Sequence, residues 1–300
     1  MALHAYSLFG LHLHSAIELP ELQAVAPLAV PDVVIMRGSV DIPSGLNQLP
    51  QPIADGLAIK VDAVATYAIQ SGSSIIVDAV AGAAPRNVRL YLLGSAIGML
   101  LHQRGILPLH ANAVEIDGRA FAFMGASGAG KSTLAAWFYD RGHAVLSDDV
   151  CIVRFADDGS VLTSNGLPRL RLWREAVERS GRDPASFPQS YSGDATYDKF
   201  DVAMTPPIGG VSGLPLAAIY LLATAEVPII RPLVGLDAVE ALFANTYRGA
   251  YVFDTSGQRQ HWQACVDLAA RVPLFVIERH WGHDHIGTES VAILDHARRI

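Results

Sequence analysis

The sequence predicts an α/β protein in which a smaller β-rich N-terminal region, residues 1–88, precedes a larger domain of strands and helices, residues 89–300. From Met1 to about Pro85, short apolar runs are separated by Pro and Gly, a pattern typical of strands. After Leu109, apolar strands alternate with segments of helical periodicity, and a glycine-rich loop separates one such strand from a helix. Hydrophobic residues make up 51% of the chain, which indicates a globular protein with a sizeable core.

The N-terminal region contains strand-like runs and a group of histidines. His4, His12 and His14 lie close together, and the last two would share one face of a strand because side chains repeat every second residue. This pattern fits an ordinary half-exposed strand face, which is the commoner arrangement, or a metal site. Two roles are compatible with this region. It could recognise a peptide along an unpaired strand edge, or it could be a purely structural cap. The predicted strands are Tyr6–His14, Asp32–Met36, Leu57–Ile69 and Ser74–Val80.

A helix and a hairpin are predicted in the middle of the chain. Val88–Gln103 has the pattern of an amphipathic helix that ends near Gly105 and connects the two regions. His110–Ile116 and Arg119–Met124 are predicted to pair, because Asp-Gly at 117–118 is a strong two-residue hairpin signal.

The C-terminal half alternates strands and helices. The helix after the glycine-rich loop is predicted over Lys131–Arg141, with Gly142 as its stop. The other predicted strands are Ala144–Leu146, Val150–Phe155, Ala217–Leu222 and Leu274–Glu278, and the other predicted helices are Trp173–Ser180, Leu236–Asn245, Gln258–Ala270 and Ser290–Ile300.

The charge and cysteine content argue against two classes of protein. The formal net charge is −7 and the lysines are Lys60, Lys131 and Lys199, so no basic run is available for a nucleic-acid backbone. Cys151 and Cys265 are too few for a disulfide framework and are expected to be reduced thiols.

The apolar runs are too short to cross a membrane. Leu90–Leu101 and Leu214–Ala225 fall short of the ~20 residues that a spanning helix needs, and they favour a buried helix and a buried strand. The first basic residue is Arg37, so no charged segment precedes an apolar one as it does in a signal peptide. A cytoplasmic protein without a membrane partner is therefore expected.

A phosphate-binding motif occupies residues 125–132. The sequence Gly-Ala-Ser-Gly-Ala-Gly-Lys-Ser matches the pattern G-x-x-x-x-G-K-[ST] between an apolar strand and a helix. Glycines let the backbone curl so that N–H groups point at phosphates, and the helix adds its positive N-terminal end. Lys131 is expected to reach the β- and γ-phosphates, and Ser132 to place its hydroxyl on Mg²⁺. The motif therefore predicts ATP and Mg²⁺ as cofactors, bound by Gly125, Ala126, Ser127, Gly128, Ala129, Gly130, Lys131, Ser132 and Thr133.

Two adjacent acids, Asp148 and Asp149, end the short strand that follows the loop helix. A hard cation such as Mg²⁺ takes one or two carboxylates together with phosphate oxygens and waters. One acid could therefore hold the metal shell while the other accepts the proton of an attacking hydroxyl. The similar pair Asp157–Asp158 stands before Gly159 and is interpreted as a solvated turn.

Residues 109–150 resemble the catalytic core of HPr kinase/phosphorylase, and more closely the HPr-kinase-related proteins found beside peptide-modifying gene sets, including lasso-peptide kinases. The resemblance implies a phosphoenolpyruvate-carboxykinase-like core with a nucleotide in the loop. It is weaker over 167–173 and at Lys199, and weak in the first hundred residues. The matching features, in order, are His110, the Asp-Gly hairpin, Gly125–Ser132, the helix end Arg141-Gly142-His143, and Asp148-Asp149.

The resemblance also implies roles for individual residues. Asp148 matches the catalytic acid/base, and Asp149 matches the acid that supports Mg²⁺ and the loop residue Ser132. His110 matches a histidine beside the catalytic aspartate, and Lys131 would neutralise the phosphates as a catalytic residue.

The chain departs from the family in one segment. Bifunctional members carry Glu and Arg among glycines there, whereas residues 165–173 contain no acid, which argues against the reverse phosphorolysis and against HPr as acceptor. Arg169 or Arg171 could stabilise charge on the transferred group or hold a strand face. The polar segment Asp183–Asp201, with Lys199, is interpreted as a loop that closes over the site or as a solvated loop.

A late cluster of histidines fits a transition-metal site or, more simply, a surface turn. Its members are His280, His283, His285 and Asp284, near Trp281.

Taken together, the residues and the resemblance predict a kinase that transfers the γ-phosphoryl group of ATP to a serine hydroxyl of a peptide or protein. HPr-like proteins and modified precursor peptides of the lasso type are the candidate acceptors. A nucleotide-binding regulatory module without transfer activity is an alternative, which Asp148, Asp149 and His110 disfavour. A small-molecule kinase is a second alternative, and a homo-oligomer is compatible with the family.

Overall fold

The computed structural model describes residues 3–42, 50–194, 196–205, 213–251, 255–280, 282 and 284–300. The chain forms two compact units, of which the first comprises Met1–Ile106 with Gln189–Lys199 and the second Leu107–Pro188 with Phe200–Ile300. The predicted α/β class is confirmed, because sheets and helices occur in both units.

The first unit is built on an eight-stranded sheet. Its strands are β1 (His4–Leu8), β2 (Leu11–Ser15), β3 (Gln23–Ala24), β4 (Val33–Arg37), β5 (Gln51–Ile53), β6 (Gly56–Val61), β7 (Ala65–Gln70) and β8 (Ser74–Ala79). They lie in the order β3-β1-β2-β4-β8-β7-β6-β5, and β4 is parallel to both of its neighbours, β2 and β8.

Two of the runs predicted as single strands each form two strands joined by a turn. The run Tyr6–His14 is divided between β1 and β2, because Phe9 and Gly10 adopt φ of 55° and 71° and make a two-residue turn. The run Leu57–Ile69 is divided between β6 and β7, which pair antiparallel across residues 62–64. Both runs are mostly apolar, and periodicity alone does not separate one long buried strand from two paired ones.

The clustered histidines lie on the paired strands of the first hairpin. His12 and His14 are half-buried on one face of β2. Among the residues that the structure describes, no group of three or more His, Cys, Asp or Glu side chains is arranged to hold a metal ion.

The helix predicted to connect the two regions contains a π-helical turn and belongs to the first unit. The Tyr67 hydroxyl donates to the Val88 carbonyl at 2.8 Å, and Gln103 Nε2 donates to the Ile69 carbonyl at 3.0 Å, so the helix is fixed to β7. The units accordingly divide after Ile106 rather than at the expected residue 88. The segments of the helix are α1 (Pro85–Tyr91), the π turn Leu92–Ala96 and α2 (Ile97–Gln103).

The rest of the chain contributes eleven strands and five helices within the described residues. The strands are β9 (Leu107–Leu109), β10 (Ala111–Ile116), β11 (Arg119–Met124), β12 (Val145–Ser147), β13 (Cys151–Phe155), β14 (Val161–Thr163), β15 (Arg169–Trp173), β16 (Lys199–Ala203), β17 (Leu214–Thr224), β18 (Ile229–Leu233) and β19 (Leu274–Arg279). The helices are α3 (Lys131–Tyr139), α4 (Arg174–Arg179), α5 (Gly235–Ala244), α6 (Thr255–Arg271) and α7 (Ile286–Arg299).

The central sheet of the second unit places three strand ends at one edge. Strands β12, β10, β11, β17, β19 and β18 follow one another in space, and β14, β13 and β9 branch from β17. β11, β17 and β19 are parallel, and β12 runs in the same direction because both it and β11 are antiparallel to β10. The carboxyl ends of β12, β11 and β19 therefore share an edge of the sheet, which is where α/β proteins commonly bind ligands.

Helices cover both faces of this sheet, which explains the nearly continuous apolar character of its strands. On one face, Phe121 and Phe123 pack in a core with Phe138 of α3 and Ile293 of α7. On the other face, a second core surrounds Leu242 of α5 and contains residues of α6. The strand β18 is absent from the sequence prediction, since Arg231 and Pro232 interrupt its apolar run. In the part of the chain that the structure describes, no helix has the length and apolar character needed to cross a bilayer.

Candidate active site

The predicted strand–loop–helix unit is present in the second unit. β11 ends at Met124, and α3 begins at Lys131. Gly125, Gly128 and Gly130 have φ of 151°, 85° and 82°, which L side chains adopt rarely, so the curl of the backbone depends on glycine at these positions. Gly130 is the N-cap residue of α3, so the positive end of the helix lies at the loop. Of the other predicted ligands, Ala126 and Ser127 are exposed, Ala129 is half-buried in the loop, and Ser132 and Thr133 are half-buried in the first turn of α3.

Lys131 is folded back over the loop. Its Nζ donates to the carbonyl oxygens of Gly125 at 2.7 Å and Ala126 at 3.1 Å, and the residue is only 7% exposed. The ammonium group is therefore fixed beside the loop, where it would attract phosphate oxygens.

Asp148 is a buried acid next to the start of α3. Its Oδ2 accepts the Arg171 backbone N–H at 2.6 Å, whereas Oδ1 has no hydrogen-bond partner among the described residues. Burial raises the pKa of Asp148 to about 7, and the neighbouring charge of Asp149 adds to the rise, while Arg171 and the nearby Ser132 hydroxyl oppose it. A carboxyl group of this kind can exchange a proton near neutral pH.

This raised pKa predicts a pH-dependent stability of the ligand-free protein. The folded protein keeps the Asp148 proton up to pH about 7, whereas the unfolded chain loses it near the ordinary aspartate value. Wild type should therefore lose stability relative to Asp148→Asn as pH rises from about 4 to 7, by on the order of 1 kcal/mol per pH unit. Urea unfolding of both proteins across this range measures the difference.

A matched control for the pH measurement is Asp157→Asn. Asp157 is exposed in the turn between β13 and β14, so Asp157→Asn makes the same chemical change away from the site. A difference between wild type and Asp148→Asn that stays constant with pH would contradict the raised pKa.

Asp149 is held by His110 and Arg171. Arg171 Nη1 lies 2.7 Å from Asp149 Oδ2, and His110 Nδ1 lies 3.1 Å from the Asp149 carbonyl oxygen. A carbonyl oxygen can only accept, so Nδ1 of His110 carries a proton. The structure thus brings His110, Asp148, Asp149 and Ser132 into one cluster.

The two arginines of β15 have different partners. Arg171 contacts both acids of the pair, whereas Arg169 Nη1 lies 2.6 Å from Asp201 Oδ2, in an ion pair whose side chains are 12% and 7% exposed. Asp201 Oδ1 also lies 3.6 Å from Arg171 Nε. The catalytic role of Arg169 stays a prediction, and Arg171 is the arginine in direct contact with the aspartates.

Buried acceptor atoms at the site fit a ligand that carries hydrogen-bond donors or a cation. Asn112 is fully buried and donates through Nδ2 to the Lys131 carbonyl, but its Oδ1 has no partner within the described part of the chain, like Oδ1 of Asp148. Buried acceptors are normally satisfied. These two oxygens, the Ser132 hydroxyl and the Asp149 carboxylate are hard donors of the kind that Mg²⁺ and its waters use.

Arg279 is a site residue that the sequence alone does not reveal. It ends β19, is 7% exposed, and donates from Nη2 to the Ala129 carbonyl at 2.6 Å. A Cβ atom on Gly130 would collide with its guanidinium, so this glycine is needed for close approach as well as for its φ. Arg279 is 150 positions from Ala129 in the chain, and no local pattern connects them.

Tyr247 is a second residue without a sequence signal. Its ring centroid lies 6.1 Å from that of His110, and burial raises its pKa. The backbone just before Tyr247 also contacts His110, because the His110 N–H donates to the Asn245 carbonyl at 2.7 Å.

The late histidine cluster is only partly described. His280 Nδ1 lies 2.8 Å from Glu289 Oε1, and the His280 and His285 ring centroids are 4.4 Å apart. Asp284 Oδ1 instead lies 3.7 Å from Arg179 Nη1. His283 and Trp281 lie outside the described residues. Lys199, the lysine of the predicted polar loop, is the first residue of β16.

Comparisons with known proteins found a distant resemblance in structure alone. No protein-family model matches the chain, and no curated protein matches it. Among solved structures, the Hpr(Ser) kinase/phosphatase from Coxiella burnetii aligns with 64% of this chain and 91% of its own, at 14% identity and a TM-score of 0.33. Similarity at this level indicates a remote structural relationship and carries no information on activity.

Proposed function

We propose that this protein is an ATP- and Mg²⁺-dependent kinase that transfers the γ-phosphoryl group to a serine hydroxyl of a peptide or protein. The observation that carries the proposal is Asp148, a buried acid with a pKa of about 7 beside the loop serine Ser132. A nucleotide-binding module without catalysis has no need of a proton acceptor at this place. The peptide acceptor, including a lasso-type precursor, follows from the resemblance of residues 109–150 and not from the geometry.

The side chains have complementary roles in this reaction. Lys131 binds the phosphates, and Ser132 and Asp149 would hold Mg²⁺, which when bound offsets the charge of the phosphates. Asp148 Oδ1 accepts the proton of the serine hydroxyl as the serine oxygen forms its bond to the γ-phosphorus and the bond to the bridging oxygen of ADP breaks. His110 and Arg171 keep the two aspartates in place.

The experiment is phosphorylation of a peptide panel by the purified protein. Serine-containing precursor peptides are incubated with ATP and Mg²⁺ and analysed by intact mass, each beside the same peptide with its serines replaced by alanine. A gain of one phosphoryl group on the serine peptide alone is the expected result. ATP binding without transfer to any peptide, protein or metabolite would contradict the proposal and favour a regulatory binder, whereas transfer to a metabolite alone would indicate a small-molecule kinase.

A further inference from the structure

A cavity lies between β18, β19 and α7 of the second unit. Its volume is about 330 Å³, at the lower end of the ~300–1,000 Å³ typical of small-molecule sites. The walls are mainly apolar, and they include Ile229 and Ile230 of β18, Ile277 of β19, and Ala292 and Ile293 of α7.

Arg279 connects this cavity to the glycine-rich loop. The residue lines the cavity, and its guanidinium donates to the Ala129 carbonyl of the loop at 2.6 Å. Glu289 of α7 lines the same cavity, and its charge opposes the fall in pKa that burial imposes on Arg279. The loop and the cavity therefore share one buried arginine.

The order of the strands indicates in which direction a bound nucleotide would extend from the loop. Asp148 and Asp149 follow β12 on one side of the loop strand β11, whereas Arg279 ends β19 on the other side. A nucleotide whose terminal phosphate faces Asp148 extends its remaining phosphates and its nucleoside away from the acids. The cavity lies on that side of the loop.

We propose that this cavity binds the base of the nucleoside triphosphate whose phosphates occupy the loop at 125–132. The proposal rests on the proposed function, because it places the nucleotide by its phosphates. Apolar walls suit the faces of an aromatic base, while the few polar groups of such a pocket fix its orientation. Glu278, Thr288 and Glu289 are the lining side chains that can accept hydrogen bonds from base amino groups.

The test compares two ligands, one with a base and one without. ATP and inorganic tripolyphosphate are titrated with Mg²⁺ into wild type and into Ala292→Phe. Ala292 is exposed on α7 and lines the cavity, so a phenylalanine there fills the cavity without entering the core. We expect wild type to bind ATP at least tenfold more tightly than tripolyphosphate. Ala292→Phe should raise Kd for ATP tenfold or more and leave Kd for tripolyphosphate unchanged.

Each control isolates one explanation. Val291→Phe places the same side chain on α7 at a residue that is 48% exposed and does not line the cavity, so it should leave both affinities unchanged. A second cavity of about 390 Å³ beside α3 and α4 is lined by Ser180, and Ser180→Phe should also change neither affinity. Ile229→Trp fills the base cavity from its opposite wall and should reproduce Ala292→Phe, including in the event that the latter does not fold.

Several results would overturn the base site. One is that wild type binds ATP and tripolyphosphate with equal affinity. Another is that Ala292→Phe and Ile229→Trp fold and bind ATP normally. A third is that only Ser180→Phe loses affinity for ATP. An equal loss of both ligands in the two cavity variants would also overturn it, because the base would not be the group affected. If wild type binds neither ligand, the proposed function fails and the base site fails with it.

Discussion

Asp148→Asn is expected to lower kcat for phosphoryl transfer at least 100-fold while leaving Kd for ATP within about threefold of wild type. A positioned general base contributes ~10²–10⁴-fold to such a reaction, and asparagine cannot accept the proton. The amide oxygen can still accept the Arg171 N–H that Asp148 Oδ2 accepts at 2.6 Å, so the local structure should persist. Transfer is measured by phosphopeptide mass and binding by calorimetry on the same preparation.

The pH profile provides a readout that a structural role would not give. Because the pKa of Asp148 is about 7, kcat/KM of wild type should fall about tenfold per pH unit below that value. Asp157→Asn, the same chemical change in an exposed turn, should keep the wild-type rate and profile. Full transfer activity in Asp148→Asn would remove the role assigned to this residue.

The centre of the site could be predicted because its signals are local. Each signal consists of neighbouring residues, so a single sequence is enough to recognise it. The signals are the Asp-Gly turn, the glycines of 125–130 and the two acids after β12. The structure places Asp148 near Ser132 and His110 near the Asp149 carbonyl, whereas the resemblance implied the opposite pairing, with His110 beside Asp148 and Asp149 beside Ser132.

Residues that reach the site from distant parts of the chain could not be predicted in the same way. Arg279 follows an apolar strand like many surface arginines, and only the packing of β19 two strands from β11 brings it to Ala129. Asp201 lies 32 positions from Arg169, in a segment whose polar composition indicated a loop, although β16 places the acid on a strand.

The strands of the first unit show a second reason why the sequence does not predict all of the fold. A run such as Leu57–Ile69 is apolar enough for one buried strand, and its division into β6 and β7 depends on a turn without a glycine signal, where Ala63 adopts a φ of 58°. Non-glycine residues seldom adopt such values, so residue types alone do not predict a turn at this position.

Lys131→Met is expected to abolish ATP binding without unfolding the protein. Methionine retains the length of the side chain but removes the ammonium group that donates to the Gly125 and Ala126 carbonyls beside the loop. Kd for ATP should rise at least 100-fold, because the attraction between a fixed cation and the phosphates is strong where water is excluded. The two carbonyls lose this donor, which costs about 1–3 kcal/mol, so the ligand-free variant should melt a few degrees below wild type but still fold.

The measurement is the shift in Tm that ATP and Mg²⁺ produce. At a nucleotide concentration of 100 Kd, binding stabilises the wild-type fold by about 2.7 kcal/mol, and a Kd raised at least 100-fold should reduce this to about 0.4 kcal/mol or less in Lys131→Met. Lys60→Met is the matched control, since Lys60 lies on β6 with a side chain that is 48% exposed, and its ATP-induced shift should equal that of wild type. A normal shift in Lys131→Met would exclude the loop as the phosphate site, and the roles proposed for Asp148, Asp149 and Arg279 would then require another ligand.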